Sequence, residues 1–573
     1  MKIYSDNIYR NKSKSYNMNF TGYIPHANAK MVYPEAITEA MNISCAKIKA
    51  ELKIGLNKMS ETEKFIKIRD EFSIDLDKIL RKNEKTAWNF YINSNPETLK
   101  SYESAQDEMT ELFSRKQVYD KFLEIDKTKL PEHEQKQLKD LLKAFDVRLN
   151  SGEEFKALEK KENQIANKYN AYIPVIDGKE VSKVEISRIL QNEKNSDIRQ
   201  KAYDSLIKGG DLIADDMVEF AKMRNEFAGL KGYDNYFEYK LMEDYDVDSK
   251  YLEKLINQVN SGAIDKISSI QEKEYSQLRE VFKTDKLKSY HYGLLTDNNP
   301  VKAVNNILEN HNIEDISKNA YKGMGFDIDK FINEGKITLD LYPRKNKNTH
   351  GFCFGIDPGR DSRILANLRN DARSLDTLNH ELGHCVYDLG ISRELPVVDR
   401  EPSSSAFTEA IAMMMGDLPK RENILKNIIP EDKLILFKES LKNDEANFVS
   451  KSMLIIDFEK KLYDNPAQDP ANLWKSLKLK YRNQDVTPDN EWATIPHYLS
   501  HPGYYQNYFR ANLMKVQLYN HLYKLFGNIT ENSAVAKYLN ENIFSKGASV
   551  EEYDLIRKLT GKEFSAEDFI KSL

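Results

Sequence analysis

Along most of the chain apolar residues recur at intervals of three and four, the spacing that gathers them on one face of an α-helix. Leu252, Leu255, Ile256 and Val259 run on in that rhythm to Ile264, Ile267 and Ile270. Leu375, Leu378, Leu382, Cys385, Val386 and Leu389 form a second stripe with few charges around it, which predicts a buried helix. Two places break the rhythm. Tyr172 to Ile176, then Asp177-Gly178, then Lys179 to Val181 predict a small hairpin, since Asp-Gly supplies the positive φ of a tight turn. Further on, Ile337, Leu339 and Leu341 alternate with polar residues, Gly351 to Gly355 follow, and Arg363 to Leu368 lead into the second stripe. The expected fold is therefore mainly α, with one small β-sheet directly before a buried helix.

At 573 residues the chain exceeds an ordinary single domain. No internal repeat, low-complexity linker or Pro/Gly-rich hinge divides it, so one domain of two lobes sharing a cleft is expected over 26–573, preceded by an arm at 1–25. The net charge of −5 and the absence of a basic block argue against a nucleic-acid partner. Three cysteines, Cys45, Cys353 and Cys385, are an odd number and make no disulfide framework, which points to a reducing compartment. The first residues lack an apolar core of signal-peptide length, and no uncharged run is long enough for a bilayer, so a membrane partner is not expected. The expectation is a cytoplasmic monomer, or a secreted or periplasmic one if a leader has been trimmed.

Within the second stripe lies His380-Glu381-Leu382-Gly383-His384. Residues four apart on a helix lie roughly 40° apart around its axis, so both imidazoles can face one Zn²⁺ while Glu381 stands beside it as general base. A catalytic zinc takes a third protein ligand and leaves one position to water. Glu394, Glu401 and Glu409 are the candidates. Glu409 is preferred because it sits in the apolar run Ala406 to Met415, where an unpaired carboxylate would be costly to bury. Zinc-assisted attack on an amide also needs donors for the developing oxyanion, and Pro496 to Arg510 is rich in them, with His497, His501, Tyr504, Tyr505 and Tyr508. Gly351 to Gly355 would be an edge strand pairing with an extended peptide through the backbone of Gly351 and Cys353.

These segments resemble the gluzincin peptidases, both the angiotensin-converting-enzyme peptidyl dipeptidases and the thimet-type oligopeptidases. Thr349-His350-Gly351 ahead of the zinc helix, His380 to His384 with Phe407 to Ile411 downstream, and Tyr505 to Phe509 preceded by His497 carry the resemblance. Arg224 to Tyr233 and Trp88 to Tyr91 are weaker echoes. The resemblance implies a largely helical, two-lobed ellipsoid split by a deep, narrow channel that admits short peptides. It implies one zinc per chain on His380, His384 and Glu409, with Glu381 as base and Tyr508, assisted by His497, at the oxyanion. His350, Gly351, Cys353, His501 and Tyr505 would contact substrate. Ile495 stands where the converting enzymes place a carboxylate-binding lysine, and Met413 where they place an aspartate behind a zinc histidine. The reading that results is an oligopeptidase acting on short unfolded peptides, ahead of a peptidyl dipeptidase or a non-catalytic peptide-binding protein.

Overall fold

Helices carry nearly all of the structure, a computed structural model that describes residues 59–149 and 152–573. The arm expected at 1–25 and Cys45 lie outside the described residues. No described helix is long and apolar enough to cross a membrane. The run from Leu252 to Ile270 is two helices, Ser249–Gly262 and Ile264–Phe282, broken at Ala263, where φ is −134°. The cause is distant in sequence: Ile570 packs against Gly262, its Cδ1 only 2.8 Å from where a Cβ would stand. Glycine there permits the contact and weakens the helix at the same point.

The described residues divide into two compact units, 59–78 with 109–149, and 79–108 with 152–573. The described part of the first is helical and closes on a phenylalanine cluster, with Phe72, Phe113 and Phe145 at ring-centroid distances of 5.1–5.5 Å. The second unit holds every residue singled out above for chemistry, and both sheets. One sheet is the hairpin of β1 (Val175–Ile176) and β2 (Lys179–Glu180), turned by Asp177 and Gly178 at φ of 50° and 78° as the Asp-Gly pair predicts.

The other sheet comprises β3 (Ile337–Asp340), β4 (Phe352–Asp357) and β5 (Asp361–Leu365) in the order β3-β5-β4. β5 pairs parallel with β3 and antiparallel with β4, which leaves β4 on an edge. Alternation along β4 divides its side chains. Phe354 meets the edge of Trp88 and Phe352 that of Tyr91, at 5.6 and 5.4 Å between centroids. On the opposite face Cys353 and Gly355 lie against Asp388 of the Ala372–Gly390 helix. The loop before β4 is held by Lys347, whose ammonium donates to the carbonyls of Asp340, Tyr342 and Ala366 and pairs with the Asp340 carboxylate.

Gly355 allows the strand to sit this close to the helix, because a Cβ there would stand 2.8 Å from Asp388 Oδ2. Gly229, in the Ser196–Leu230 helix, has open space around it. Gly355→Ala is therefore expected to destabilise the fold by about 1–3 kcal/mol. Gly229→Ala should be neutral or stabilising by up to about 1 kcal/mol. Urea unfolding of the two variants measures the contrast, and equal shifts would contradict the packing described here.

Candidate active site

The helix that carries His380 to His384, here the motif helix (Ala372–Gly390), starts at Asp371, whose carboxylate accepts the Ser374 N–H at 2.7 Å. A side chain capping the first turn satisfies an otherwise unpaired amide and fixes where the helix begins. The helix that carries Glu409, the glutamate helix (Ser405–Gly416), starts in the same way, with Ser404 Oγ accepting the Phe407 N–H at 3.0 Å. The two pack at close range because of two glycines. A Cβ on Gly383 would lie 3.0 Å from Ala412 Cα, and one on Gly416 would lie 3.4 Å from His380 Cβ. Gly383 is the fourth residue of the His380–His384 pentapeptide, so the element that bears the histidines also carries the notch that brings Glu409 to them.

At this contact one ligand atom from each of His380, His384 and Glu409 lies within 4.8 Å of the others, and His380 Nε2 is 3.6 Å from Glu409 Oε2. Donors about 2.1 Å from a tetrahedral zinc stand about 3.4 Å apart, so a small rotamer adjustment suffices to close this group on an ion. Two imidazoles and a carboxylate suit zinc chemically. His380 is suitably poised: burial holds its pKa down to about 4, with the Asp417 carboxylate opposing that shift, so its lone pair is available at neutral pH. His384 Nδ1 lies 2.8 Å from Thr408 Oγ1, the residue immediately before Glu409. That contact orients the ring and would leave Nε2 as the nitrogen offered to a metal. Glu381, on the same helix, is 8 % exposed.

Behind the triad a network of buried charges anchors the glutamate helix. Asp417, the residue after its last turn, pairs with Lys515 at 2.7 Å and with Arg421, while Arg421 and Lys515 also face Glu445. Breaking one member would leave an unpaired charge in the interior, which is what makes such a network rigid.

The predicted oxyanion segment spans a short helix, Pro496–Ser500, and the start of the tyrosine helix, Tyr505–Phe526. His497 sits among its aromatic neighbours, 4.9 Å from Tyr505 and 6.3 Å from Tyr508 between ring centroids. Burial, and then the charges of His501 and Lys451, hold the His497 imidazole down to about 4, and its Nδ1 has no hydrogen-bond partner among the described residues. Burial first, and then the carboxylate of Glu409, Tyr505 and the carboxylate of Glu381, raise the Tyr508 phenol well above the usual tyrosine range. Tyr508 thus keeps its proton, close enough to feel the carboxylates of Glu409 and Glu381.

The remaining candidates divide. A Cβ on Gly351 would lie 3.3 Å from Glu381 Oε1, so the backbone just before β4 borders the triad. The Cys353 thiol turns toward the motif helix, 3.3 Å from Ser362 Oγ and 3.9 Å from Asp388 Oδ2, which leaves only its backbone for a peptide. His501 contacts Ser500 Oγ through Nδ1 at 2.7 Å and meets Tyr504 edge-on, 6.0 Å between ring centroids. His350 is exposed, and its described contacts are with Asn348 and Phe352.

Thr408 answers the question left by Met413, and nothing in the sequence marks it except its place beside Glu409. Two further residues act at a distance. Arg224 donates to the carbonyls of Tyr498 and Leu499 at 2.7 and 2.5 Å, closing the C-terminal end of the short helix. Glu459 accepts the Gly503 N–H on both carboxylate oxygens at 3.0 Å. Together they hold the turn that delivers Tyr504, Tyr505 and Tyr508.

Residues 189–573 match the model of Peptidase family M3. Among curated proteins the chain is similar to the oligoendopeptidase F homolog of Borreliella burgdorferi, 22 % identical over 352 residues. That match spans 58 % of this chain and 57 % of the relative's length.

Two expectations follow from the geometry. Thr408→Val, which keeps the shape and removes the hydroxyl, should weaken zinc binding at least about tenfold with the fold intact; competition with a chromogenic chelator measures this. Burial raises the Glu459 carboxyl to about 8 against the opposing Gly503 N–H, Arg224 and Lys240. The folded state then keeps a proton that the unfolded chain releases near its ordinary value. Stability is fully present below about pH 4.5 and is lost as the pH rises through about 8. Glu459→Gln should flatten this decline, and melting temperatures from pH 6 to 9 with an unchanged slope would refute it.

Proposed function

The chain belongs to Peptidase family M3, and from that premise and the arrangement of its side chains we propose that it is a zinc-dependent oligopeptidase hydrolysing peptide bonds in short, unfolded peptides. The observation that carries this reading is the convergence of three ligand atoms from His380, His384 and Glu409 on one point, with Glu381 on the same helix turn as His380. Zinc held there acidifies a water molecule and polarises the scissile carbonyl.

The chain's own groups supply the rest. Glu381 takes the proton released as water attacks and hands it to the departing amine. Tyr508, kept protonated, donates to the oxygen on which negative charge develops, and neutral His497 lies beside it to share that task. The free edge of β4, which begins next to Glu381 at Gly351, supports pairing with an extended peptide through the backbone of Gly351 and Cys353. The printed name of the Borreliella relative supports internal cleavage over release of C-terminal dipeptides. A non-catalytic peptide binder is disfavoured because all three ligand residues and Glu381 are present together.

Glu381→Gln is expected to retain about one zinc per chain and to lose at least about a hundredfold in kcat. Tyr508→Phe should lose about a hundredfold in kcat with a smaller change in KM. Both are read by mass spectrometry of a short-peptide mixture together with metal analysis. Hydrolysis undiminished in Glu381→Gln would overturn the assignment of the base.

A further inference from the structure

The Glu431–Asp464 helix runs through the interior. Between Glu445 and Tyr463 each of its residues is buried or half-buried except Lys451, which is exposed. One turn earlier Phe448 is half-buried, with its ring 6.3 Å from that of Tyr508. A covered helix therefore opens to solvent on the flank of the candidate active site, and the side chain presented there is a lysine. Its ammonium is near enough to His497 to oppose protonation of that imidazole.

Among the described residues no carboxylate pairs with Lys451. The acid whose charge acts on it, Glu491, already accepts from Lys478 Nζ at 2.6 Å and from Trp474 Nε1 at 3.1 Å. Arg482, the neighbouring cation, donates to neutral acceptors, Asn447 O at 2.8 Å and Ser450 Oγ at 2.9 Å. Two cations thus stand near one another at the exposed recess beside Lys451, without an ion-pair partner of their own among the described residues. Lost hydration and the charge of Arg482 both hold the Lys451 ammonium below the usual lysine value. An anion placed in the recess would relieve that repulsion, and the low-dielectric surroundings would strengthen the attraction.

We propose that Lys451, backed by Arg482, receives a carboxylate of the bound peptide, either its free C-terminus or an acidic side chain, and so selects for anionic peptides beside His497. The proposal rests on the peptidase reading of this site. It makes Lys451 a specificity residue that touches substrate away from the reacting atoms.

The test measures binding by calorimetry in zinc-loaded Glu381→Gln, where turnover does not interfere. Three probes are used: an N-acetylated alanine–phenylalanine hexapeptide with a free C-terminus, its C-terminal amide, and an amide of the same length ending in glutamate. The free acid should bind about tenfold more tightly than the amide, the lower range for a hydrogen bond between charged partners. That ratio should fall to about one when Lys451→Met is added and survive with Lys451→Arg. A gain for the free acid alone assigns the recess to the C-terminus, and a gain for the glutamate amide as well assigns it to either carboxylate. Equal acid-to-amide ratios with and without Lys451→Met would overturn the proposal. Cleavage of the same peptides by the wild-type protein is scored separately: a Lys451-dependent ratio without cleavage would count against the peptidase reading alone, and cleavage without that ratio against the carboxylate recess alone.

Discussion

The close approach of the motif helix to the glutamate helix is the constraint on which the site depends. Ligand atoms on two different helices can meet only if the helix axes are near, and Gly383 and Gly416 remove the side chains that would hold them apart. Everything local to the triad follows from that approach. Thr408 reaches His384, Glu409 reaches His380, and Asp417 at the end of the glutamate helix is left facing Lys515 and Arg421. A larger residue at 383 would act on the metal centre without touching a ligand.

Burial then sets protonation states to match the chemistry. The same desolvation that lowers His380 and His497 to about 4 raises Tyr508, so the imidazoles are neutral and the phenol keeps its proton. One physical effect thus prepares a candidate ligand, a neutral polar neighbour and a hydrogen-bond donor at a single pH. Lys451 shows the same effect from the other side: burial and the charge of Arg482 hold its ammonium below the usual lysine value, and no carboxylate among the described residues pairs with it.

Much of this was legible in the sequence because its causes are local. Four-residue spacing puts His380 and His384 on one face, an Asp-Gly pair turns the hairpin at 177 and 178, and alternation at Ile337 and Leu339 marks β3. Glu409 was legible for a different reason, as a carboxylate in a run too apolar to hold it unaided. What escaped was set by partners far along the chain. Arg224 closes a helix 274 residues away, Glu459 holds a glycine 44 residues away, and the break at Ala263 answers to Ile570. Lys451 looks like any lysine on an amphipathic helix until the burial of its neighbours shows that the rest of that stretch is buried or half-buried. The sequence pattern also gave no reason to separate the described residues 59–78 and 109–149 as a compact unit of their own.

The measurement that bears most directly on this account is anomalous diffraction at the zinc absorption edge from crystals of the zinc-loaded protein. The account predicts a single strong peak within about 2.2 Å of a nitrogen of His380, a nitrogen of His384 and a carboxylate oxygen of Glu409. A peak held by other residues, or none at this site in protein that cleaves peptides, would contradict it.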